Sequence, residues 1–351
     1  PHPQSLRYQF DKMTKTRAIV VVDGGKVTAV CDAEIPKIRD EWVIVEVKAV
    51  ALNPTDWKMI NWGAADAGSR VGCDYAGIVA EVGSKVTKSQ KGDRIAGFVH
   101  GGSQPDHETG AFGEYIIAKA ALQFHIPDNL NNEEAATLGV SVVTVGQGLY
   151  KCLGLPFPNA PAKEPIFLLI CAASTATGIY GIQYAKASGL TVIATASPHN
   201  FGLVKSLGAD AVFDYHSPTC ASDIKTYTGN KLKYAWDCMG TGVETCAAAI
   251  SDVEPGAVYG TIVPGPADEK ILKQTNPNVD GPRFTLGYDV FGEKYIWMVQ
   301  EVPQKPDEME FATAFFEMSQ GLFAKGIIKP IRPTVNSTEL GWRVRSKAWM
   351  N

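Results

Sequence analysis

The sequence lacks both a long hydrophobic run and a block of charge of one sign. Its longest fully apolar run, residues 166–173, has eight residues, whereas a helix that crosses a membrane needs about 20. The 33 basic and 37 acidic residues give a net charge of −4, but a nucleic-acid-binding protein normally carries a basic surplus or stripe. Hydrophobic residues make up 45% of the 351, too many for a disordered chain. These absences predict a globular protein that binds neither membrane nor nucleic acid.

Cysteine pairing signals are also missing. The seven cysteines are odd in number and show no Cys-x-x-Cys spacing, which disfavours a disulfide scaffold and a four-cysteine zinc lobe. The N-terminal residues lack the apolar core of a secretory signal, and Met13 opens a stretch typical of a natural start. We therefore expect a cytoplasmic protein with reduced thiols, and we expect residues 1–12 to lie outside the fold.

Two structural regimes follow each other along the chain. Residues 14–125 contain short β-branched runs separated by turn formers, and residues 131–153 have helical spacing. A segment with four prolines, residues 155–165, is expected to be extended. Beyond it strands alternate with helices, which predicts parallel βαβ units in an open, doubly wound sheet. A further helix over 311–324 and a strand over 327–332 are expected near the end.

The first βα turn of the second regime carries the clearest functional signal. It reads Cys-Ala-Ala-Ser-Thr-Ala-Thr-Gly over residues 171–178, and small residues there allow a pyrophosphate to approach the helix N-terminus. Such a turn also serves plain helix–strand packing, but its place at the head of the βα repeats favours dinucleotide binding. The candidate residues in the turn are Ser174, Thr175, Ala176 and Thr177.

The next strand indicates which dinucleotide is bound. An NAD site has Asp or Glu about 20 residues on, whereas residues 194–200 here contain no carboxylate. Lys205 or His199 could supply positive charge for a 2′-phosphate, which favours NADPH. Alternatively, or in addition, Ser197 caps the following helix. The candidate 2′-phosphate residues are Ser197, Pro198, His199, Asn200 and Tyr215.

The order of these motifs resembles the medium-chain dehydrogenase/reductase superfamily. The motifs that carry this resemblance span residues 51–58, 72–77, 92–94, 110–115 and 208–215. Segments 152–158, 174–177, 197–200 and 284–293 are similar to those of fungal trans-acting enoyl reductases, which partner polyketide synthases, as in lovastatin biosynthesis. The resemblance covers roughly residues 13–335.

The resemblance implies an α/β fold with two domains and an active site in the cleft between them. A GroES-like β-barrel catalytic domain would begin with residues 13–155, and a Rossmann domain with a doubly wound parallel sheet would span 166–305. Residues 306–351 would return to the catalytic domain with an atypical, shortened end. Pro264 and Pro266 interrupt an edge by which many superfamily members dimerise, so a monomer is expected.

A zinc site is disfavoured. Zinc alcohol dehydrogenases of this superfamily carry a Cys ligand after an early strand and a Gly-His-Glu motif further on. At the corresponding places this sequence reads Asn-Pro-Thr-Asp over 53–56 and Gly-Cys-Asp over 72–74. Catalytic zinc needs three protein ligands, whereas Cys73 and Asp74 could supply two at most.

The resemblance implies that NADPH reduces the α,β-double bond of a polyketide intermediate tethered to an acyl carrier protein of a polyketide synthase. Lys58 is the candidate for proton delivery or for hydrogen bonding, unless it is a surface lysine paired with Asp56. Thr144, at the helix start, is a candidate hydrogen-bond donor. The other expected cofactor contacts are Thr55, Asp56, Trp57, Ile262 and Val263. The expected substrate-lining residues are Leu138, Gly139, Val140, Ser141, Val142, Val143, Thr144, Val145, Thr285, Leu286, Gly287, Tyr288 and Asp289.

Two alternative functions stay open on the same fold. One is a stand-alone enone or quinone reductase acting on small molecules. The other is a non-redox cyclase or binding protein, because the expected C-terminal strand of the family is altered here. Carrier dependence separates the first from an enoyl reductase, and NADPH binding separates the second.

Overall fold

The computed structural model describes residues 14–22, 27–297 and 300–335, which form two compact units. The first contains the described residues of Pro1–Val140, Tyr288–Ala324 and Arg332–Asn351, and the second contains Ser141–Gly287 and Lys325–Ile331. The expected N-terminal extension and the atypical end beyond residue 335 lie outside the described residues. The domain boundaries expected from the sequence, near 155–166 and 305, stay a prediction.

The first unit is built on antiparallel strands. Five of them form a sheet of order β6-β3-β4-β5-β7, while β1 pairs with β2 and β14 pairs with β15. One face packs Trp42, Ile44 and Ile117 into a core cluster, as expected for β-branched and aromatic residues on a half-buried sheet. The strands are β1 (Lys15–Val22), β2 (Val27–Glu34), β3 (Trp42–Ala51), β4 (Asp74–Val82), β5 (Arg94–Phe98), β6 (Tyr115–Lys119), β7 (Gln123–His125), β14 (Tyr295–Trp297) and β15 (Gln300–Val302).

The second unit is a parallel sheet of order β10-β9-β8-β11-β12-β13. The predicted doubly wound parallel sheet is therefore confirmed. The order changes direction between β8 and β11, and open sheets of this kind bind ligands at the carboxyl ends of such strands. The strands are β8 (Phe167–Cys171), β9 (Thr191–Ala196), β10 (Ala211–Asp214), β11 (Tyr234–Asp237), β12 (Val258–Thr261) and β13 (Asp280–Arg283).

Helices connect these strands, and among the described residues none has the length and apolar character that crossing a membrane requires. The predicted helix over 131–153 is present, but it is divided into α2, α3 and a π-helical stretch, Gly146–Cys152. The helices are α1 (Pro54–Asn61), α2 (Asn132–Ala135), α3 (Gly139–Val145), α4 (Ala176–Ala187), α5 (Phe201–Ser206), α6 (Cys220–Tyr227), α7 (Val243–Ala249), α8 (Asp268–Thr275) and α9 (Pro306–Ala324).

A close contact explains why the π-helical stretch contains glycine. A Cβ added to Gly148 would lie 2.4 Å from the indole ring of Trp236, which is itself fully buried in β11. Only a residue without a side chain lets the stretch pass so close to that ring.

The predicted strand over 327–332 is wrong. Its backbone is instead bonded by side chains of α4. The Lys329 amide donates to Gln183 Oε1 (2.8 Å), Gln183 Nε2 donates to the Lys329 carbonyl (3.1 Å), and the Ile331 amide donates to the Tyr180 hydroxyl (3.0 Å). These side chains satisfy the backbone groups that a neighbouring strand would otherwise have paired.

Candidate active site

The turn after β8 has the geometry of a phosphate-binding turn. Ala172 adopts a positive φ of 56°, and Thr175 caps the 12-residue helix α4, accepting a hydrogen bond from the Gly178 amide (3.2 Å). A Cβ at Gly178 would lie 2.6 Å from the Ala173 Cα, so only glycine permits this close approach of helix and strand. Ala176 and Thr177 form the first turn of α4, where free amides favour an anion.

Polar side chains from neighbouring elements join this turn. Asn200 Nδ2 donates to Ser174 Oγ (3.2 Å), and Ser197 Oγ donates to the Tyr215 hydroxyl (3.1 Å). Ser197 stands at the N-cap of the short turn Pro198–Asn200, but its side chain makes no cap hydrogen bond. Ser197 therefore occupies the N-cap position, as the alternative interpretation expects, but its side chain does not cap the helix. His199 is exposed beside it.

Asp237, which the sequence analysis missed, organises the carboxyl end of β11. Its carboxylate accepts hydrogen bonds from the amides of Met239 (2.9 Å), Gly240 (3.0 Å) and Gly242 (2.6 Å), and from the Tyr259 hydroxyl (3.1 Å). An acid at the end of a predicted strand, with glycines at positions 240 and 242, was the available signal. This carboxylate fixes the loop at a strand end where ligands bind in such sheets.

The predicted residues Ile262 and Val263 follow β12 next to this loop. The Ile262 amide donates to the Asp237 carbonyl (3.1 Å). A Cβ at Gly240 would lie 2.2 Å from the Val263 carbonyl oxygen. The two loops that leave β11 and β12 are therefore in direct contact.

Most of the predicted substrate-lining residues around α3 are buried. Val140 and Thr144 are the partly exposed ones, and their spacing of four places them on one helix face. Thr144 lies in the last turn of α3 rather than at its start. The buried residues are Leu138, Gly139, Ser141, Val142, Val143 and Val145.

The second predicted substrate-lining segment, residues 285–289, also contains both partly exposed and buried residues. Thr285, Leu286 and Gly287 are partly exposed, and the Leu286 carbonyl accepts from Gln147 Nε2 (3.2 Å). The Asp289 carboxylate is buried, with bonds from the Tyr295 hydroxyl (2.9 Å) and from Lys305 Nζ (2.8 Å).

A buried polar cluster occupies the first unit where two predicted motifs meet. Asn53 bridges two acids, because its amide N–H donates to Asp56 Oδ2 (2.7 Å) and its Nδ2 donates to Asp74 Oδ2 (2.8 Å). The Tyr288 hydroxyl bonds Thr55 Oγ1 (2.7 Å) and contacts Cys73 Sγ (3.6 Å). We call Asn53, Thr55, Asp56, Cys73, Asp74 and Tyr288 the acid cluster.

Burial dominates the titration of the acid cluster. Loss of solvent raises the pKa of Asp56 to about 7, although the Asn53 amide and the Cys73 thiol and amide oppose the rise. Loss of solvent also raises the pKa of Asp74 to about 8, against bonds from Asn53 and from the Val140 amide. The Val140 bond (2.7 Å) ties Asp74 to the first turn of α3. Both acids therefore hold protons at a pH where exposed carboxyls have lost them.

Lys58 does not pair with Asp56 among the ion pairs of the described residues. Its Nζ instead lies over two indole rings, 5.8 Å from the Trp57 centroid and 5.6 Å from the Trp62 centroid. Trp62 in turn packs edge-on against Trp297 (5.8 Å). Aromatic faces attract an ammonium group, so the two indole rings can hold Lys58 Nζ in place.

Comparison with known proteins gives two family matches. Residues 39–128 match the alcohol dehydrogenase GroES-like domain, and residues 176–280 match the zinc-binding dehydrogenase family. The trans-enoyl reductase ACTTS2 of Alternaria alternata is 42% identical over 319 residues, which cover 90% of each chain. The trans-enoyl reductase TOXD of Cochliobolus carbonum is 46% identical over 81% of this chain and 93% of its own. The chain belongs to the trans-enoyl reductase family. It is thereby a member of the medium-chain dehydrogenase/reductase superfamily. This membership supports an oxidoreductase activity.

Solved structures show the same fold at lower identity. The CurK enoyl reductase has a TM-score of 0.71 at 19% identity, covering 91% of both chains. The Escherichia coli quinone oxidoreductase complexed with NADPH has a TM-score of 0.66 at 21% identity, covering 89% of both. Together with the two family matches, these structures confirm the expected GroES-like and Rossmann-like combination for this chain.

Zinc, which the second family description names, does not fit the acid cluster of this family member. Asp56 and Asp74 are committed to Asn53 and to the start of α3. Among the described residues, no group of three His, Cys, Asp or Glu side chains could hold a metal ion.

Proposed function

We propose that the protein is an NADPH-dependent trans-acting enoyl reductase that reduces the α,β-double bond of a carrier-bound polyketide intermediate made by a polyketide synthase. The observation that carries the proposal is the identity of 41–46% to three trans-enoyl reductases over 81–90% of this chain. The strand–turn–helix geometry at Thr175 and Gly178 supports a dinucleotide cofactor.

The choice of NADPH over NADH rests on the end of β9. No carboxylate follows this strand to accept a ribose 2′-hydroxyl. In its place stand the hydrogen-bonded hydroxyls of Ser197 and Tyr215, with the exposed His199 and Lys205 nearby in the chain. Hydroxyl donors and positive charge suit a phosphate group.

The bound nicotinamide would supply a hydride to the β-carbon, which leaves negative charge on the thioester oxygen. The task of this chain is to orient the reactants and to offer donors to that oxygen. Lys58 is suited to this, because the faces of Trp57 and Trp62 position its ammonium group. Thr144, a partly exposed residue of α3, is the second candidate donor.

The decisive experiment is incubation with NADPH and an α,β-unsaturated acyl-pantetheine, analysed by mass spectrometry. The expected product has gained two hydrogens. Lys58→Met should lower kcat, and Lys85→Met, at a lysine whose side chain is 63% exposed, should not. Absence of NADPH binding in a fluorescence titration would exclude an oxidoreductase role. Turnover of free enones, without turnover of pantetheine- or carrier-bound acyl chains, would replace the proposal with a small-molecule enone reductase.

A further inference from the structure

Two buried cysteines of the second unit contact each other next to the turn that follows β8. Cys171 is the last residue of β8, and Cys246 lies on α7. Their sulfur atoms are 3.1 Å apart, within hydrogen-bond distance. The sulfur atoms of a disulfide are about 2.05 Å apart, so these two need to approach each other by only about 1 Å more to be joined.

The position of Cys171 connects this pair with the ligand-binding edge of the sheet. Cys171 directly precedes Ala172, whose positive φ of 56° shapes the candidate phosphate-binding turn. The Cys171 carbonyl accepts a hydrogen bond from the amide of Cys238, just beyond β11 (3.2 Å). The strand order changes direction between β8 and β11, and open sheets of this type bind ligands at such a place. The pair therefore lies at the base of the expected cofactor site.

Cys246 is connected to the same edge through the backbone. Its amide donates to the Gly242 carbonyl (2.9 Å), and the Gly242 amide donates to the Asp237 carboxylate (2.6 Å). The same carboxylate accepts from the amides of Met239 and Gly240. Strand β8 is paired on both sides, with β9 and with β11, whereas α7 has only seven residues. Helix α7 and the loop before it are therefore the part that can move when the sulfur atoms approach each other.

The two sulfur atoms differ in their access to an oxidant. Cys171 is 3% exposed and Cys246 is fully buried. A Cβ added to Gly242 would lie 3.3 Å from the Cys171 Cβ, so the loop that covers Cys171 does so without a side chain at this position. The hydrogen bond with Cys171, followed by burial, raises the pKa of Cys246 well above its ordinary value. Because the thiolate is the reactive form, the first reaction with an oxidant falls to Cys171.

We propose that Cys171 and Cys246 are an oxidation-sensitive pair, whose disulfide weakens dinucleotide binding by displacing the loop of residues 238–242. This proposal rests on the proposed function, because it requires the dinucleotide cofactor. The oxidant is a peroxide, of which hydrogen peroxide is the smallest. The disulfide would be a modification site at the floor of the cofactor site.

The oxidation takes place in two balanced steps. The Cys171 sulfur attacks one oxygen of hydrogen peroxide, the O–O bond breaks, and Cys171 becomes a sulfenic acid while one water leaves. The Cys246 sulfur then displaces the hydroxyl group of that sulfenic acid, which forms the disulfide and releases a second water. The two thiol protons end in the two water molecules, and the two electrons lost by the sulfur atoms reduce the peroxide.

The cofactor and the disulfide should oppose each other. If the disulfide weakens NADPH binding by a given factor, bound NADPH disfavours the disulfide by the same factor. A dinucleotide at the ends of β8 and β11 also keeps the loop 238–242 closed over Cys171. NADPH should therefore slow the oxidation, and the disulfide should raise the Kd for NADPH by about tenfold, within the usual range for two coupled sites.

Mass spectrometry of wild-type protein treated with hydrogen peroxide locates the bond. The tryptic fragments 164–186 and 234–270, which contain Cys171 and Cys246, should become joined with the loss of two hydrogens. A second cleavage after Glu244 separates Cys246 from Cys238, so the fragment that stays attached identifies the partner of Cys171. A reducing dithiol should release the fragments, and NADPH present during the treatment should slow their joining. Absence of a cross-link between Cys171 and Cys246 would overturn the proposal.

A fluorescence titration with NADPH measures the effect on the cofactor site. Peroxide should raise the Kd of the wild-type protein by about tenfold, and a reducing dithiol should restore it. The restoration excludes oxidation of the exposed Met239 as the cause, because a methionine sulfoxide needs its own reductase. The Kd of Cys246→Ala should not respond to peroxide. Cys220→Ala, at a cysteine of the same core cluster, should respond as the wild-type protein does.

The outcomes separate this proposal from the proposed function. If the reduced wild-type protein binds NADPH and the cross-linked protein binds it equally well, the proposal is refuted and the enoyl reductase function stands. A Cys246→Ala protein that loses affinity in peroxide as the wild-type protein does would also refute it. The mapping on the wild-type protein decides on the disulfide whether or not that variant folds. Reduced wild-type protein that binds no NADPH overturns the proposed function and this proposal together.

Discussion

His100 offers a test of the electrostatics inside the first unit. Its ring stacks on Tyr288 (4.3 Å) and on Phe291 (5.4 Å), and Nε2 is buried with no hydrogen-bond partner in the described structure. Burial lowers the pKa of this histidine from 6.5 to about 3, and only the charge of Asp106 opposes the shift. The folded protein therefore holds a neutral imidazole, whereas the unfolded chain binds a proton below pH 6.5.

The sign of the pH effect follows from this difference. Because the pKa is depressed in the folded state, protonation of the unfolded chain lowers stability as pH falls from 6.5 towards 3. At pH 5 the medium lies 1.5 pH units below the unfolded pKa, and one unit is worth about 1.4 kcal/mol. Wild-type protein should therefore lose about 2 kcal/mol at pH 5 through this residue, and none at pH 8.

His100→Phe should remove that loss. Phenylalanine keeps the ring stacking, and a cavity of about 20 Å³ beside His100 and Phe291 gives the larger ring some room. We expect the variant to gain about 2 kcal/mol relative to wild type at pH 5 beyond any difference at pH 8. The raised pKa values of Asp56 and Asp74 change stability with pH in the opposite direction. Their contribution is the same in both proteins, so it cancels when the stability of wild type is subtracted from that of the variant.

Urea unfolding followed by tryptophan fluorescence at the two pH values measures the effect. Gly202→Ala, which changes no titratable group and whose added Cβ meets nothing within 4 Å, should show the same stability difference from wild type at both pH values. An equal stability difference between His100→Phe and wild type at pH 5 and pH 8 would show that the folded protein protonates His100 as readily as the unfolded chain does.

Two further predictions concern the second unit. Gly148→Ala brings a Cβ within 2.4 Å of the Trp236 ring and should lower the free energy of unfolding by about 1–3 kcal/mol; Gly202→Ala, where a Cβ meets nothing within 4 Å, should not lower it in the same urea titration. Tyr215→Phe removes the hydroxyl bonded to Ser197 and should raise the Kd for NADPH more than that for NADH in a fluorescence titration. Equal changes for the two cofactors would argue against a 2′-phosphate site there.

The parallel sheet could be predicted from the sequence because its signals are local. Each central strand is a short apolar run bounded by turn residues, and the helices between strands have their own periodicity. The strand β11 (Tyr234–Asp237) and the helix α4 (Ala176–Ala187) are elements of this kind. The edge strand β13 was missed because it contains Pro282, which argues against a strand.

The misjudged features depend on contacts distant in sequence. The apolar residues of 327–332 fit a strand, but their partners are the side chains of Gln183 and Tyr180, which no local pattern reveals. The closeness of Asp56 and Lys58 in the sequence suggests a surface ion pair. Instead, the Asn53 amide donates a hydrogen bond to the Asp56 carboxyl group, and Asp56 is buried near Cys73. Spacing cannot show that an acid is buried.

The acid cluster explains how the zinc position of the superfamily is filled in this chain. The segments 53–56 and 72–74, which correspond to zinc-ligand segments, meet through the bonds of Asn53 to Asp56 and Asp74. Burial raises the pKa values of Asp56 and Asp74 to about 7 and about 8, so both carboxyl groups can hold a proton near neutral pH. The same two segments thus hold exchangeable protons where a zinc enzyme holds a Lewis acid.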